Sequence, residues 1–257
     1  MIKKSKITSS NRWKLLLTSL ILFGVILGAD PNPMGTVKDA ITLFADKGVI
    51  FPPRLIAFIV FTLMVIFANK FICSWGCQFG TLQDLIFELA KGKKREKPLL
   101  KPKKLSFALT NSIRIISLVV LAALAFAIGM DIVGIIDPFK IFHPTMIGIA
   151  AGIFIFLILA LSTFIYRPWC HLFCPFGLTG WLAENFSFNR IQIKTDKCTK
   201  CRACTQACPS LAMDAILDGK NIKPDCFSCA RCIEVCPENA ICFGKKIKTE
   251  SSEISNV

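Results

Sequence analysis

Twelve of the thirteen cysteines in this chain fall into regular spacings. A run C-x2-C-x2-C-x3-C-P occurs twice near the C-terminus. It appears as Cys198, Cys201, Cys204 and Cys208 before Pro209, and as Cys226, Cys229, Cys232 and Cys236 before Pro237. A second spacing, C-x3-C-x-F-G, also occurs twice: Cys73 and Cys77 before Phe79-Gly80, and Cys170 and Cys174 before Phe176-Gly177. Thiolates are soft ligands, and sets of this kind point to iron–sulfur or related soft-metal chemistry. An iron–sulfur cubane exchanges single electrons. The competing readings are a zinc site and a disulfide framework. Zinc sites join C-x2-C pairs into tetrahedral fours rather than doubled triplets.

The doubled run resembles that of bacterial two-cluster ferredoxins, in which the fourth cysteine of each run ligates the other cluster. The resemblance implies one [4Fe–4S] cluster on Cys198, Cys201, Cys204 and Cys236 and a second on Cys226, Cys229, Cys232 and Cys208. Cys242 stands outside both patterns and reads as a small buried hydrophobe. Its segment is expected to be a last strand, paired with Ile191–Ile193.

The surrounding chain is 257 residues long and 53% hydrophobic, with a mean hydropathy of +0.57. A soluble domain would be less apolar. A helix rising about 1.5 Å per residue needs roughly 20 residues to cross a hydrocarbon core of about 30 Å. Four stretches fit: 13–29, 54–72, 105–130 and 146–166. The first begins like a signal peptide, with Lys3, Lys4, Lys6, Arg12 and Lys14 around its start. A cleavage site near Gly28–Ala29–Asp30 would match the usual small-residue pattern poorly.

Positive charge then sets the orientation. The N-terminal tail, the segment 91–104 and the chain after Tyr166 are basic, whereas the loops 30–53 and 131–145 are nearly balanced. Both termini and the cysteine-rich tail are therefore expected in the cytoplasm, at the inner membrane. Disulfides are rare in that compartment and thiolates persist. The net charge of +14 is mostly of the juxtamembrane kind. No aromatic-interleaved basic motif accompanies it, so nucleic acid is not an expected partner. Cations in the tail, among them Lys194, Lys197, Lys200 and Arg202, suit an acidic redox partner or a face resting on lipid.

The expected fold is an all-α membrane domain of four transmembrane helices, built as two parallel helix-hairpin repeats, plus a C-terminal α+β ferredoxin domain with two [4Fe–4S] clusters. The boundaries are a basic tail over 1–12, the membrane domain over 13–186, the ferredoxin domain over 187–248 and a disordered tail over 249–257. In each repeat a helix goes out, a helix comes back and C-x3-C-x-F-G follows. An apolar stretch succeeds each motif, at 81–90 and 178–186. In the first, Leu82, Leu85, Ile86 and Leu89 fall at helical spacing, as in an amphipathic helix at the membrane interface. Parallel repeats bring both cysteine pairs to the cytoplasmic surface. Cys73, Cys77, Cys170 and Cys174 are expected to hold a third redox centre, most simply another [4Fe–4S] cluster. The alternative is free thiols, since residues i and i+4 share a helix face in any case.

Four spans, two C-x3-C motifs and a terminal two-cluster ferredoxin resemble the NapH-type membrane iron–sulfur proteins. Their core is shared by the nitrous-oxide-reductase maturation protein NosR and by copper-oxidase assembly ferredoxins. The likeness covers nearly the whole chain. It includes Phe71-Ile-Cys-Ser-Trp75, Trp169-Cys170, Asn32-Pro-Met-Gly-Thr36 and Asp137-Pro138. One departure is Gln78, where the family has proline after the second cysteine. The resemblance implies quinol oxidation or electron passage toward an extracytoplasmic partner, with the lipid bilayer, the quinone pool and other redox subunits or ferredoxin-like proteins as partners. The alternative is a maturation factor that supplies electrons for metal-centre assembly, with the four cysteines binding Cu(I) or cycling as thiols.

No protein nucleophile or acid–base pair is evident, so the chemistry belongs to cofactors. His171 is expected to face the headgroups, and Arg114, inside the third span, to snorkel toward them. Asp131, Asp137 and His143 read as turn residues or as proton acceptors near a quinone headgroup. With only His143 and His171 available, on opposite sides, bis-histidine haem is not expected.

Overall fold

Each apolar stretch contains a helix, and the departures from the expected layout lie between them. The computed structural model of the protein describes residues 9–26, 33–48, 52–91, 103–128, 134, 137–143, 147–220 and 225–245. The expected cleavage site, Asp131, most of the basic segment 91–104 and the tail 249–257 lie outside the described residues. In chain order, helix α1 (Ser9–Ser19) runs into a π-helical segment, Leu20–Ile26. Next come α2 (Pro33–Lys47), α3 (Pro52–Ala68), α4 (Phe71–Trp75) and α5 (Gln78–Lys91). The second repeat has α6 (Phe107–Ile128), α7 (Ile149–Leu161), α8 (Pro168–Leu172) and α9 (Pro175–Glu184).

Among the described residues, α6 is long and apolar enough to cross a membrane, while Pro53–Ala68 and Ile149–Leu161 are shorter apolar helices. Their outer faces carry exposed apolar side chains, including Ile59 and Leu63 on α3, Ile116 and Val119 on α6, and Ile153 and Phe156 on α7. The fourth helix ends at Leu161, before the expected boundary. There the Ser162 hydroxyl donates to the Ile158 carbonyl at 2.8 Å, and the chain turns to form a bridge between Ile165 and Lys103.

The two segments read as loops fold inward. Residues 33–47 form α2 instead of a loop. Pro33 opens that helix; proline suits a first turn because its φ is fixed and its missing N–H would be unpaired there anyway. Met34 and Val37 are buried by it. In the second repeat, Asp137 accepts a hydrogen bond from the Phe139 N–H at 2.9 Å, capping a 3₁₀ turn over Pro138–Phe142. Phe139 is buried against Phe79, their ring centroids 5.9 Å apart.

The cysteine-rich tail holds strands β1 (Asn189–Ile193) and β2 (Ile241–Lys245), paired antiparallel with Gln192 opposite Cys242. The expected pairing is present, with Cys242 half-buried. Three short helices, Ala203–Ala207, Ala212–Leu217 and Arg231–Val235, complete the tail.

Two buried carboxylates fasten the tail to the helices. Asp84, on α5, accepts from Arg12 at 2.8 Å, from Arg167 at 2.7 Å and from Arg231 of the tail at 2.7 Å. Burial alone would raise its pKa, but these guanidiniums outweigh burial and hold the carboxyl well below the usual carboxylate range. Asp225, just before the second cysteine run, pairs with Lys70 and accepts from Arg114 at 2.5 Å.

Replacing Asp84 with alanine leaves three buried guanidiniums without their shared partner. The expected cost is about 3–5 kcal/mol, the usual range for breaking a buried ion pair from one side. It is measurable as a lower denaturation midpoint of the detergent-purified protein. Because the folded-state pKa is depressed, the native contribution is complete above the ordinary carboxylate range and is lost only as pH falls through the lowered value. An alanine variant as stable as the native protein would remove Asp84 from this role.

Candidate iron–sulfur centres

Three cavities divide the twelve patterned cysteines four by four. Cys198, Cys201, Cys204 and Cys236 line one cavity. Cys208, Cys226, Cys229 and Cys232 line a second. Cys73, Cys77, Cys170 and Cys174 line a third between the repeats. Among the described residues, no three His, Cys, Asp or Glu side chains meet at the spacing of a single metal ion. A cubane, by contrast, holds its ligands apart by its own width.

In the tail, the loop of each triplet is curled by left-handed residues on both sides of its middle cysteine. Lys200 and Arg202 (φ 54° and 57°) flank Cys201, and Ser228 and Ala230 (φ 49° and 62°) flank Cys229. Non-glycine residues adopt this conformation uncommonly, at some energetic cost. Backbone N–H groups then face sulfur: Ser228 toward Cys226, Ile233 toward Cys232, and Ala240 toward Cys236 at 3.3 Å. Concave N–H groups of this kind favour an anionic cluster.

The four-cysteine cavity is built by the repeat, and the two halves match atom for atom where space is tightest. After the second cysteine of each pair a long helix begins, α5 at Gln78 and α9 at Pro175. The N–H groups of Phe79 and Gly80 face the Cys77 sulfur, and those of Phe176 and Gly177 face Cys174. Gln78 therefore opens its helix where the second half uses proline, and its side chain donates to the Phe23 carbonyl at 3.2 Å. The glycine of each motif presses on the first cysteine. A Cβ on Gly80 would stand 2.8 Å from the Cys73 carbonyl oxygen, and one on Gly177 would stand 2.7 Å from that of Cys170.

The lining fits a thiolate-bound cluster. Burial pushes the Cys174 thiol up to about 12 and raises Cys73 and Cys77 as well, so metal coordination is what would make thiolates of them. Lys70 lies on the wall, and Arg167 and Arg114 lie just behind it. Arg167 donates to the Cys73 and Ser74 carbonyls at 2.5 and 3.0 Å, and Arg114 to those of His171 and Gly177 at 3.1 Å. These cations suit a cluster whose four thiolates leave it net negative. The indole N–H of Trp169, a wall residue, is buried and has no hydrogen-bond partner among the described residues. Pro33, Met34 and Phe139 close the wall from the segments read as loops.

Phe227 joins two of the sites. Its ring is buried and lines both the four-cysteine cavity and the cavity of Cys226. It packs on His171 at 4.9 Å and Tyr166 at 6.1 Å, with Lys70 and Arg167 over its faces. The same loop is held at Trp75, whose indole donates to the Ser228 carbonyl at 3.3 Å, and at Arg12, which donates to that of Cys229 at 2.6 Å.

Two expectations are corrected. Arg114 does not snorkel: it is 1% exposed and bonded to Asp225 of the tail, which satisfies its charge inside the protein. His171 does not face headgroups. It is buried between Tyr166 and Phe227, and burial pushes its pKa down to about 3, outweighing Asp225. His143 and Asp137 line none of the three cavities. Sequence reasoning missed Asp84, Asp225, Lys70, Arg167 and Phe227. One signal was available, since a cation stands three residues before the first cysteine of each pair, as Lys70 and as Arg167.

Residues 50–97 and 147–190, one segment around each C-x3-C pair, match a 4Fe–4S binding domain family. Residues 197–241 match a 4Fe–4S dicluster domain family. Over 195 residues the chain is 28% identical to the ferredoxin-type protein NapH of Escherichia coli K12, covering 71% of this chain and 64% of that protein. The chain is similar to the NapH-type 4Fe–4S ferredoxin proteins. The NapH of Haemophilus influenzae is 25% identical over 243 residues, 90% of this chain and 78% of that one. The E. coli electron transport protein YccM is 27% identical over 192 residues, 71% of this chain. The match spans only about half of YccM, 52% of its length. No solved structure matches the chain significantly.

Alanine at Gly177 forces α9 away from the Cys170 carbonyl. Overpacking of this kind costs about 1–3 kcal/mol. A fall in the thermal midpoint of the Gly177→Ala protein is expected, and an equal fall for Gly80→Ala. Native-like midpoints in both would show that the close approach is not required.

Proposed function

We propose that the chain is a multi-pass membrane protein of the cytoplasmic membrane that carries three [4Fe–4S] clusters and moves single electrons between a quinol or partner subunit and a further redox protein. The observation that carries this reading is the division of twelve cysteines into three four-cysteine cavities. Cys198, Cys201, Cys204 and Cys236 would hold one cluster, and Cys226, Cys229, Cys232 and Cys208 the second. Cys73, Cys77, Cys170 and Cys174 would hold the third. Bound there, the clusters would supply one-electron chemistry.

The chain's own residues hold, orient and insulate. Backbone N–H groups at the starts of α5 and α9 orient the Cys77 and Cys174 sulfurs. Met34, Phe139 and Phe176 exclude water from the cavity between the repeats. Phe227 keeps a fixed, ring-wide separation between that cavity and the cavity of Cys226. Exposed apolar faces on α3, α6 and α7 support a lipid-facing band. A cytoplasmic tail and cytoplasmic termini are supported by the charge pattern alone. The names borne by NapH and YccM support electron transfer as the activity. A quinol donor rests on the resemblance.

Iron and sulfide counting on anaerobically purified protein tests the reading. About twelve irons per chain are expected, four for each cubane, falling by four in a Cys73→Ser/Cys77→Ser protein whose two remaining EPR signals persist. About eight irons, unchanged by those substitutions, would leave the membrane-half cysteines as thiols or copper ligands.

A further inference from the structure

The cavity of Cys198 differs from the other two in what surrounds its mouth. It is walled by tail residues alone, whereas the second run, through Asp225, Phe227 and Arg231, is pressed into the helices. Cys201 is exposed, while the four cysteines between the repeats are buried or half-buried. Lys197, Lys200 and Arg202 line the same cavity and are exposed, against one exposed acid, Glu238. Among the described residues none of these three cations is engaged in an ion pair, unlike Lys70, Arg114, Arg167 and Arg231 further in. Lys200 and Arg202, both exposed, take left-handed backbone on either side of Cys201.

We infer that this mouth is an electron port that docks an acidic, soluble one-electron carrier protein on the collar of Lys197, Lys200 and Arg202. The inference rests on the proposed [4Fe–4S] cluster at Cys198, Cys201, Cys204 and Cys236, and it names the partner of that site. The exchange is balanced by itself. A reduced carrier loses one electron and the cluster gains one, with no bond made or broken and no proton moved. The reverse direction is the same step run backward. Opposite charge around a redox contact raises encounter rates and fixes orientation, and salt weakens both effects. A collar of three cations around an exposed ligand selects an acidic surface over a neutral one.

The test measures binding of an acidic flavodoxin to the full-length protein in neutral detergent, at low and at high salt. A Lys197→Glu/Lys200→Glu/Arg202→Glu protein is expected to bind at least about ten-fold more weakly at low salt and to lose most of the salt dependence. Stopped-flow bleaching of the iron–sulfur absorbance by the reduced flavodoxin should slow in parallel. Bleaching by the small methyl viologen radical cation should not. Should charge reversal lower the iron content, the triple glutamine variant replaces it, with a smaller loss of binding expected. Native-like binding by the variant overturns the inference. So does a difference between variant and native that appears only in anionic lipid vesicles and not in detergent, since the collar would then rest on lipid. An iron count below eight in the native protein would instead remove the underlying cluster, whatever the flavodoxin result.

Discussion

A carboxylate stripped of water must be neutralised by the protein around it, and Asp84 is neutralised from three remote parts of the chain. Arg12 comes from the first helix, Arg167 from the turn before the second cysteine pair, and Arg231 from the tail. Such a network gains little net energy over an apolar core, but each partial version of it is costly. Its effect is to specify: only the arrangement with all three arginines present leaves no buried charge unpaired. The cysteine pair at 170 and 174 and the loop of Cys229 are thereby fixed relative to α5 at once.

The repeat is symmetric in its backbone and in the way each half's leading cation reaches a carboxylate of the other. Both halves place a cation three residues before the first cysteine, a long helix after the second and a glycine against the first carbonyl. Arg167 of the second half finds its anion on α5 of the first. Lys70 of the first half pairs with Glu184 at the end of α9 at 3.5 Å, and with Asp225 of the tail as well. The tail adds Asp225 to this exchange, where it also pairs with Arg114. It also supplies Phe227 to a cavity otherwise walled by helices.

How much of this was legible follows from the range of each interaction. The cysteine spacings are local, so the doubled runs, the doubled pairs and the helix after each pair could be read directly, whereas the exchange of Cys208 and Cys236 between the runs and the strand pairing at Cys242 came from the likeness to ferredoxins. The charges act over long separations. Arg114 and Asp225 are 111 residues apart, and Arg231 and Asp84 are 147 apart. A lone arginine in an apolar stretch shows its depth in sequence but not its partner, and Arg114 was misjudged for that reason. The segments 30–53 and 131–145 were read as loops because they lie between the apolar stretches. Pro33 and Pro138, each opening a helical turn, were the overlooked sign that both fold back onto the cysteines.

Phe227 shows what the docking accomplishes beyond adhesion. One aromatic ring, anchored by Asp225 two residues before it, serves as a shared wall for two cavities that belong to different parts of the chain. The tail is therefore not a module hung from a membrane anchor. Without it the cavity between the repeats would be missing part of its wall, so a truncated helical half would open that cavity to water and oxygen. The tail insulates a cavity to which it contributes no cysteine.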